Sequence, residues 1–330
     1  MSDRELAVIG IGNAIVDVIG KADDELLARE GLTKGSMALI DAERAVSLHG
    51  SVLDPAESCG GSAGNTIAGV ASLGGAVGYI GKVGKDRLGD VFARGMRDAG
   101  VEYVTARSES GVPTACCIVM VTPDAQRTMN TFLGACVELG PEDVDEALVR
   151  RGRVTYLEGY LWDPPQAKEA FLRAASIAHA AHRTVSLSLS DSFCVARHRE
   201  SFRELVRGHV DVLFANEDEI RALYETDDFD AAVSAVRDEV RIAALTRGKD
   251  GCTIAWEGEV VQVAAAPVDR VVDTTGAGDL FAAGFLHALV EGRSAADCGR
   301  LGGLCAAEII GHYGARPETG LAELARTRLG

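Results

Sequence analysis

The chain has 330 residues, 47% of them hydrophobic and 25% charged, and its 33 Lys and Arg stand against 49 Asp and Glu, a formal charge of −16. That length buries a substantial core, and so acidic a balance argues against nucleic acid and anionic membranes as partners. Any site for ATP on such a surface needs local help from backbone dipoles, a metal or a few placed cations.

The first predicted strand is Leu6–Ile11, an uncharged and mostly apolar run that stops at Gly12-Asn13 and is too short for a secretory signal core. No uninterrupted apolar run approaches the ~20 residues of a membrane helix, so a cytoplasmic protein is expected. Near-continuous apolar runs rich in β-branched residues at 77–81, 154–157, 184–189, 212–214 and 242–245 read as buried strands. Helical periodicity falls between them at 62–73, 87–99, 166–181, 199–207, 217–224 and 231–240, and two longer helices follow at 279–291 and 295–310. Such alternation predicts an α/β fold, with a mainly parallel central sheet and helices on both faces.

Two stretches break the rhythm. Residues 14–58 carry short, weakly patterned strands, and 114–121 with 127–132 read as a hairpin about Thr122-Pro123-Asp124. The expected division is a large α/β domain (1–13, 59–108 and 136–330) and a small β-sheet lid (14–58 and 109–135). A lid suits a reaction that must keep water away. The eight cysteines include no C-x-x-C pair and read as free thiols of a reducing compartment, with Cys116 and Cys117 filling the small sheet. His179 and His182 read as a surface pair on one helix, and Arg150, Arg151 and Arg153 as a solvated helix end.

The chemistry concentrates in Asp273-Thr274-Thr275-Gly276-Ala277-Gly278-Asp279, which runs into a helix with the apolar stripe Leu280, Phe281, Gly284, Phe285, Ala288 and Leu289. Gly276 and Gly278 leave successive amides free to point at one anion, and Asp279 stands where a hydroxyl would meet it. An anion cradle beside a general base is the minimum for phosphoryl transfer to an alcohol. A helix N-terminus favours the ionised form of Asp279. Taken alone, such a run is more often only a tight turn with a capping aspartate, and the rest of the chain is what favours the catalytic reading. A second turn, Gly60-Gly61-Ser62-Ala63-Gly64-Asn65, opens another helix, and Asn13 with Asp17 supplies an amide and a carboxylate suited to sugar hydroxyls. Gly10-x-Gly12 lacks the third glycine and the later acid of a dinucleotide fingerprint, so hydride transfer is a poor fit.

Together with Asn216-Glu217-Asp218-Glu219 and Thr246-Arg247-Gly248-Lys249-Asp250-Gly251, these motifs in this order resemble the ribokinase-like (PfkB) carbohydrate and nucleoside kinases over nearly the whole length. The resemblance implies a ribokinase-like fold and an ATP- and Mg²⁺-dependent kinase. Asp279 would be its base, and Gly276, Ala277 and Gly278 its anion hole. Asn216 and Glu219 would organise Mg²⁺ through waters. Thr246, Gly248 and Gly251, with Asn216, Gly276 and Gly278, would line the nucleotide. Asn13, Asp17, Gly60, Gly61 and Asn65 would hold the acceptor, Arg127 would lie beside the phosphates, and a monovalent cation (K⁺) has a possible seat near 273–275.

Within the family, the openings at 12–17 and 188–193 with 211–217 are similar to the adenosine kinase branch, which implies the 5′-hydroxyl of a purine nucleoside as acceptor, adenosine first and AMP as product. Where that branch has paired phenylalanines this chain has Gly159-Tyr160-Leu161-Trp162, so Trp162 with Tyr160 is the expected base platform, and Asp191 replaces a small apolar residue. Guanosine, inosine, a ribose- or fructose-type sugar and an idle nucleoside-sensing relative stay open. Retention of Asp279 argues against the last. The assembly is expected to be a monomer or homodimer.

Overall fold

The computed structural model describes residues 4–124 and 126–330, which form two sheets and their flanking helices. In chain order the strands are β1 (Leu6–Ile11), β2 (Ile15–Lys21), β3 (Met37–Leu39), β4 (Leu53–Cys59), β5 (Val77–Ile80), β6 (Val101–Tyr103), β7 (Ala115–Val121), β8 (Arg127–Phe132), β9 (Gly152–Glu158), β10 (Thr184–Ser188), β11 (Val212–Asn216), β12 (Ile242–Thr246), β13 (Cys252–Trp256) and β14 (Glu259–Val263). The larger sheet has nine strands in the order β14-β13-β12-β11-β10-β9-β1-β5-β6. From β12 to β6 every neighbouring pair is parallel.

Alternate residues of these strands feed opposite cores. Ile9, Ile11, Leu157, Leu187, Leu213 and Leu245 pack on one side, while Val8, Tyr79, Tyr156, Phe214 and Ala244 pack on the other. Helices cover both faces, as the alternating pattern predicts. The helix Ala277–Val290 lies on the second face between Ser62–Ser72 and Ala295–Ile309. Its approach to the latter depends on Gly284, where a Cβ would sit 2.6 Å from the Leu301 carbonyl oxygen.

The smaller sheet has the order β3-β8-β7-β2-β4. One face packs Val18, Ile118 and Met120 against Leu26, Leu27 and Leu48 of the helices Asp24–Arg29 and Ala42–Ser51. The strands expected in 14–58 are present as β2, β3 and β4, and these two helices, which the sequence pattern did not announce, lie between them. Each is too short to show a clear period, yet each starts at an aspartate whose carboxylate accepts a first-turn amide, Asp23 from Leu26 and Asp41 from Arg44. The opposite face aligns Asp17 with Cys117 and Cys117 with Thr131.

Other differences are local. The antiparallel hairpin β13–β14 was not expected; it turns at Glu257 and Gly258, both at positive φ (50° and 87°), as a two-residue turn between twisted strands requires. The helix expected at 199–207 runs Ser192–His209, with a break at His198. His182 lies beyond the end of Pro165–Ala180 at φ 56°, so it shares no helix with His179, which bonds Asp211. No helix among the described residues is long and apolar enough to cross a membrane.

Gly284→Ala should push the two helices apart and lower stability by about 1–3 kcal/mol, read as a lower urea midpoint. Gly278→Ala, whose added Cβ meets nothing within 4 Å, should leave that midpoint unchanged.

Candidate active site

Parallel strands end together. Register aligns Ile11 with Leu157, Glu158 with Ser188, and Asn216 with Thr246, so Gly12-Asn13, Glu158, Asn216 and Thr246 emerge along one edge of the large sheet. The Asp279 helix begins in the same neighbourhood. Its N-cap is Gly276, at φ 80°, where a Cβ would also lie 2.8 Å from that of Ala315. Among the described residues no protein acceptor takes the Gly278 or Asp279 amide, which leaves the first turn open to an anion.

Asp279 is half-buried, and both its oxygens are engaged by the first turn of Ser62–Ser72. Ser62 Oγ donates to Oδ1 at 2.6 Å and Asn65 Nδ2 to Oδ2 at 3.0 Å. Asn65 Oδ1 is buried with no partner, an acceptor waiting for a donor. Burial raises the Asp279 carboxyl above its ordinary value, against the pull of Ser62, Asn65 and Arg316. Desolvation thus works against the helix terminus, which favours the anion. Ser62 lies inside a recognised motif but was given no role there.

Asp17 projects from β2 against Gly60, where a Cβ would fall 2.4 Å from Asp17 Oδ2. Only glycine lets the carboxylate lie on that turn. Burial pushes its carboxyl up to about 6, with Arg127 and Arg316 opposing and Asp279 adding to the rise. Gly61 caps the Ser62 helix at φ 85°.

Asn13 does not present its amide to the cleft as expected. It is 2% exposed; its Nδ2 donates to Glu158 Oε1 at 2.8 Å, and its Oδ1 accepts from Cys136 Sγ at 3.0 Å. Glu158 Oε2 takes the Ala63 amide at 2.7 Å, so this buried carboxylate ties the Asn13 turn to the Ser62 turn. Burial pushes Glu158 up to about 7 despite these donors. Sequence reasoning missed it, since the only signal was an acid closing an apolar strand.

Arg127 reaches from β8 to an ion pair with Asp273 and lies 3.4 Å from Thr275 Oγ1, while its Nε is buried without a partner. Asp273 also accepts from the Thr275 and Gly314 amides (3.0 and 3.1 Å); although burial opposes it, these donors and Arg127 hold its carboxyl below the ordinary value. Asn216 and Glu219 form a reciprocal cap. Asn216 Oδ1 accepts the Glu219 amide at 2.8 Å, and Asn216 Nδ2 donates to Glu219 Oε1 at 2.7 Å. Glu219 is 6% exposed and pushed up to about 7 by burial. Gly248 and Gly251 form the positive-φ turn that follows Thr246.

Trp162 is a correction. It is 3% exposed, packs against Phe171 and Phe202 at 5.6 Å each, and donates to Ser201 Oγ at 2.9 Å. Its ring is core and no platform. Tyr160 is 43% exposed, amid the charges of Asp191, Asp279, Glu219 and Glu158. Asp191 caps the next helix by accepting the Phe193 and Cys194 amides.

Residues 31–319 match the model of the pfkB family carbohydrate kinases. An adenosine kinase of known structure from Sinorhizobium meliloti is 50% identical at a TM-score of 0.90, with 98% of this chain and 99% of that one covered. A probable sugar kinase protein from Rhizobium etli CFN 42 has the same identity and TM-score, with 98% of each chain covered. Adenosine kinase 1 of Arabidopsis thaliana is 26% identical across 91% of this chain and 93% of its own.

Glu158 supplies a pH test. A carboxyl raised from 4.5 to about 7 adds stability while protonated and loses it as pH rises through that window. Urea midpoints of the native chain relative to Glu158→Gln should therefore decline between pH 5 and pH 7.5. A difference independent of pH would mean that Glu158 titrates normally.

Proposed function

We infer the acceptor and the residue roles from one premise: the chain belongs to the pfkB family of carbohydrate kinases, and is a phosphotransferase with an alcohol group as acceptor. The proposed reaction is ATP-dependent phosphorylation of the 5′-hydroxyl of a purine nucleoside, adenosine first, giving AMP. The observation that carries it is the convergence on Asp279: two helix N-termini meet at one carboxylate, beside free amides and the unpartnered Asn65 Oδ1.

In this reading the ribose hydroxyls donate to Asp17 and Asn65 Oδ1, with Gly60 and Gly61 forming the wall behind them. Asn13 acts from beneath, fixing the turn. The primary hydroxyl points at Asp279, and the γ-phosphoryl lies over the amides of Gly276, Ala277 and Gly278. Ser62 and Asn65 hold the Asp279 oxygens in place, and the carboxylate takes the hydroxyl proton late, when the attacking oxygen has become acidic. The small sheet (14–58 and 109–135) serves as the lid, with Arg127 as the cation it brings to the phosphates; on ATP binding its guanidinium exchanges Asp273 for phosphate oxygen. Thr246, Gly248 and Gly251 line the nucleotide.

Among the described residues no group of three or more His, Cys, Asp or Glu converges to hold a metal directly. Asn216 and Glu219, whose side-chain oxygens are engaged in the reciprocal cap, would hold Mg²⁺ arriving with ATP through waters, in keeping with its preference for a largely hydrated oxygen shell. When bound it would neutralise charge on the phosphates. A monovalent cation at 273–275 fits less well, because the Asp273 oxygens are taken by two amides and by Arg127, whose charge would repel it.

Two relatives named for adenosine kinase activity support the nucleoside, and the exposed Tyr160 would be the aromatic that meets a base. The burial of Trp162 favours a second reading, a free sugar acceptor, which needs no stacking platform. A coupled ADP-release assay with adenosine, guanosine, inosine, ribose and fructose side by side decides between them. Adenosine should give the highest kcat/KM, whereas turnover of ribose or fructose alone would overturn the nucleoside. Asp279→Asn should lose at least about a thousandfold in kcat with little change in nucleoside binding, since the base acts in the transition state. A near-native rate would remove Asp279 from that role. Asp17→Ala should raise the nucleoside KM with a smaller effect on kcat.

A further inference from the structure

We propose that Arg316 is a positioning residue of the transfer site, a tethered positive charge that lets the acceptor-binding and base carboxylates share one cleft as anions. The proposal rests on the roles given above to Asp17 and Asp279. Arg316 lies in the family-wide ending 310–317, to which the sequence gives no role; its position in the fold gives it one.

The segment 314–316 is pinned between both glycine turns. The Gly314 amide donates to Asp273 Oδ2 at 3.1 Å, and Ala315 packs so closely on Gly276 that an added Cβ would be 2.8 Å away. From there Arg316 crosses to the other turn. Its Nε donates to the Cys59 carbonyl at 3.1 Å, its Nη2 lies 3.4 Å from Cys59 Sγ, and the same nitrogen is 3.6 Å from where a Gly64 Cβ would stand. The guanidinium is thus fixed by neutral groups one residue before Gly60 and beside the turn that carries Asn65.

It has no ion-pair partner. Other arginines without one, such as Arg94, Arg153 and Arg270, are exposed; among the described arginines Arg316 alone is half-buried and without an ion pair. In a chain of charge −16, a half-buried cation without an ion pair is a feature to explain. The acids that feel it are Asp17 and Asp279, both raised by burial and both drawn back down by Arg316.

Arg127, the other cation near Asp17, is paired with Asp273 and, in the proposed function, with the phosphates once ATP binds. The remaining groups around the pair do not compensate. Asp17 lies opposite Cys117 of β7, its charge reaches the thiols of Cys59 and Cys116, and besides Arg127 it feels Asp279, which raises it. Asp279 faces Ser62 and Asn65, and the acids Glu158 and Glu219 with Tyr156 and Tyr160. Two carboxylates in one desolvated cleft tend to share a proton unless a fixed cation prevents it. A protonated Asp279 cannot accept the hydroxyl proton, and a protonated Asp17 loses half its accepting capacity.

The test is the pH profile of kcat/KM for the acceptor at saturating ATP, on the full chain. Arg316→Met should move the acidic limb to higher pH, so that activity relative to the alkaline plateau falls on the order of tenfold at the native midpoint, while the plateau kcat changes only a few-fold. Arg316→Lys, which keeps the charge, should restore most of the native limb. A folded Arg316→Met with an unmoved limb, or with a uniform loss at every pH, overturns the proposal. Should Arg316→Met fail to fold, Arg316→Gln is set against Arg316→Lys, and the same comparison decides. A near-native rate in Asp279→Asn would instead sink the assignment of the base. An inactive Asp279→Asn together with an unmoved limb sinks only the role of Arg316.

Discussion

The double hydrogen bond from Ser62 and Asn65 to Asp279 is the contact around which the rest is arranged. It joins residues more than 200 positions apart and makes two helix N-termini point at one spot. A carboxylate drawn out of water is costly unless it is paired or hydrogen-bonded, and here two donors and two converging helix ends offset the cost. The tie holds only if both helices arrive at fixed height. Small residues set that height, with Gly69 lying against Ala283 and Gly284 against the Leu301 carbonyl. Packing deep on one face of the sheet thereby fixes the geometry at its edge.

A second constraint is charge. The edge of the large sheet gathers Glu158, Glu219 and Asp279, and the small sheet adds Asp17. Burial pushes all four toward the neutral acid. The chain answers with backbone amides on Glu158 (Ala63 and Asn13) and on Glu219 (Asn216), with the side chains of Ser62 and Asn65 on Asp279, and with the charges of Arg127 and Arg316 on Asp17. Amides supply partial positive charge without adding a formal charge that would repel a divalent metal or compete for the nucleotide. Arginines enter at only two points, Arg127 and Arg316, each held by the protein at a defined place. An acidic protein that handles a polyanion thus relies on oriented dipoles more than on its net charge.

Much of the fold was legible from the chain alone. Buried parallel strands are near-continuously apolar, so Leu6–Ile11, 154–157 and 242–245 announce themselves, and the glycine turns must read as turns because few other residues fit them. The hairpin of β7 and β8 was equally plain. The two helices flanking the small sheet were hidden, because six to ten residues give too little periodicity and their signal is one capping aspartate each. The hairpin β13–β14 was hidden too, its turn formed by Glu257 and Gly258 in place of a commoner pair.

The candidate site divides along the same line. Local sequence determined which residues carry reactive groups and bare amides: Asp279 after its two glycines, Asn65 after Gly60 and Gly61, Asp17 after Asn13. Tertiary structure alone decided their partners. It turned Trp162 into core and left Tyr160 at the cleft, gave Asn13 to Glu158, paired Arg127 with Asp273, and brought Arg316 to Cys59. Turn and helix chemistry is written over a few neighbouring residues, whereas side-chain pairing and desolvation depend on what the distant chain lays beside them, and no short window of sequence contains that.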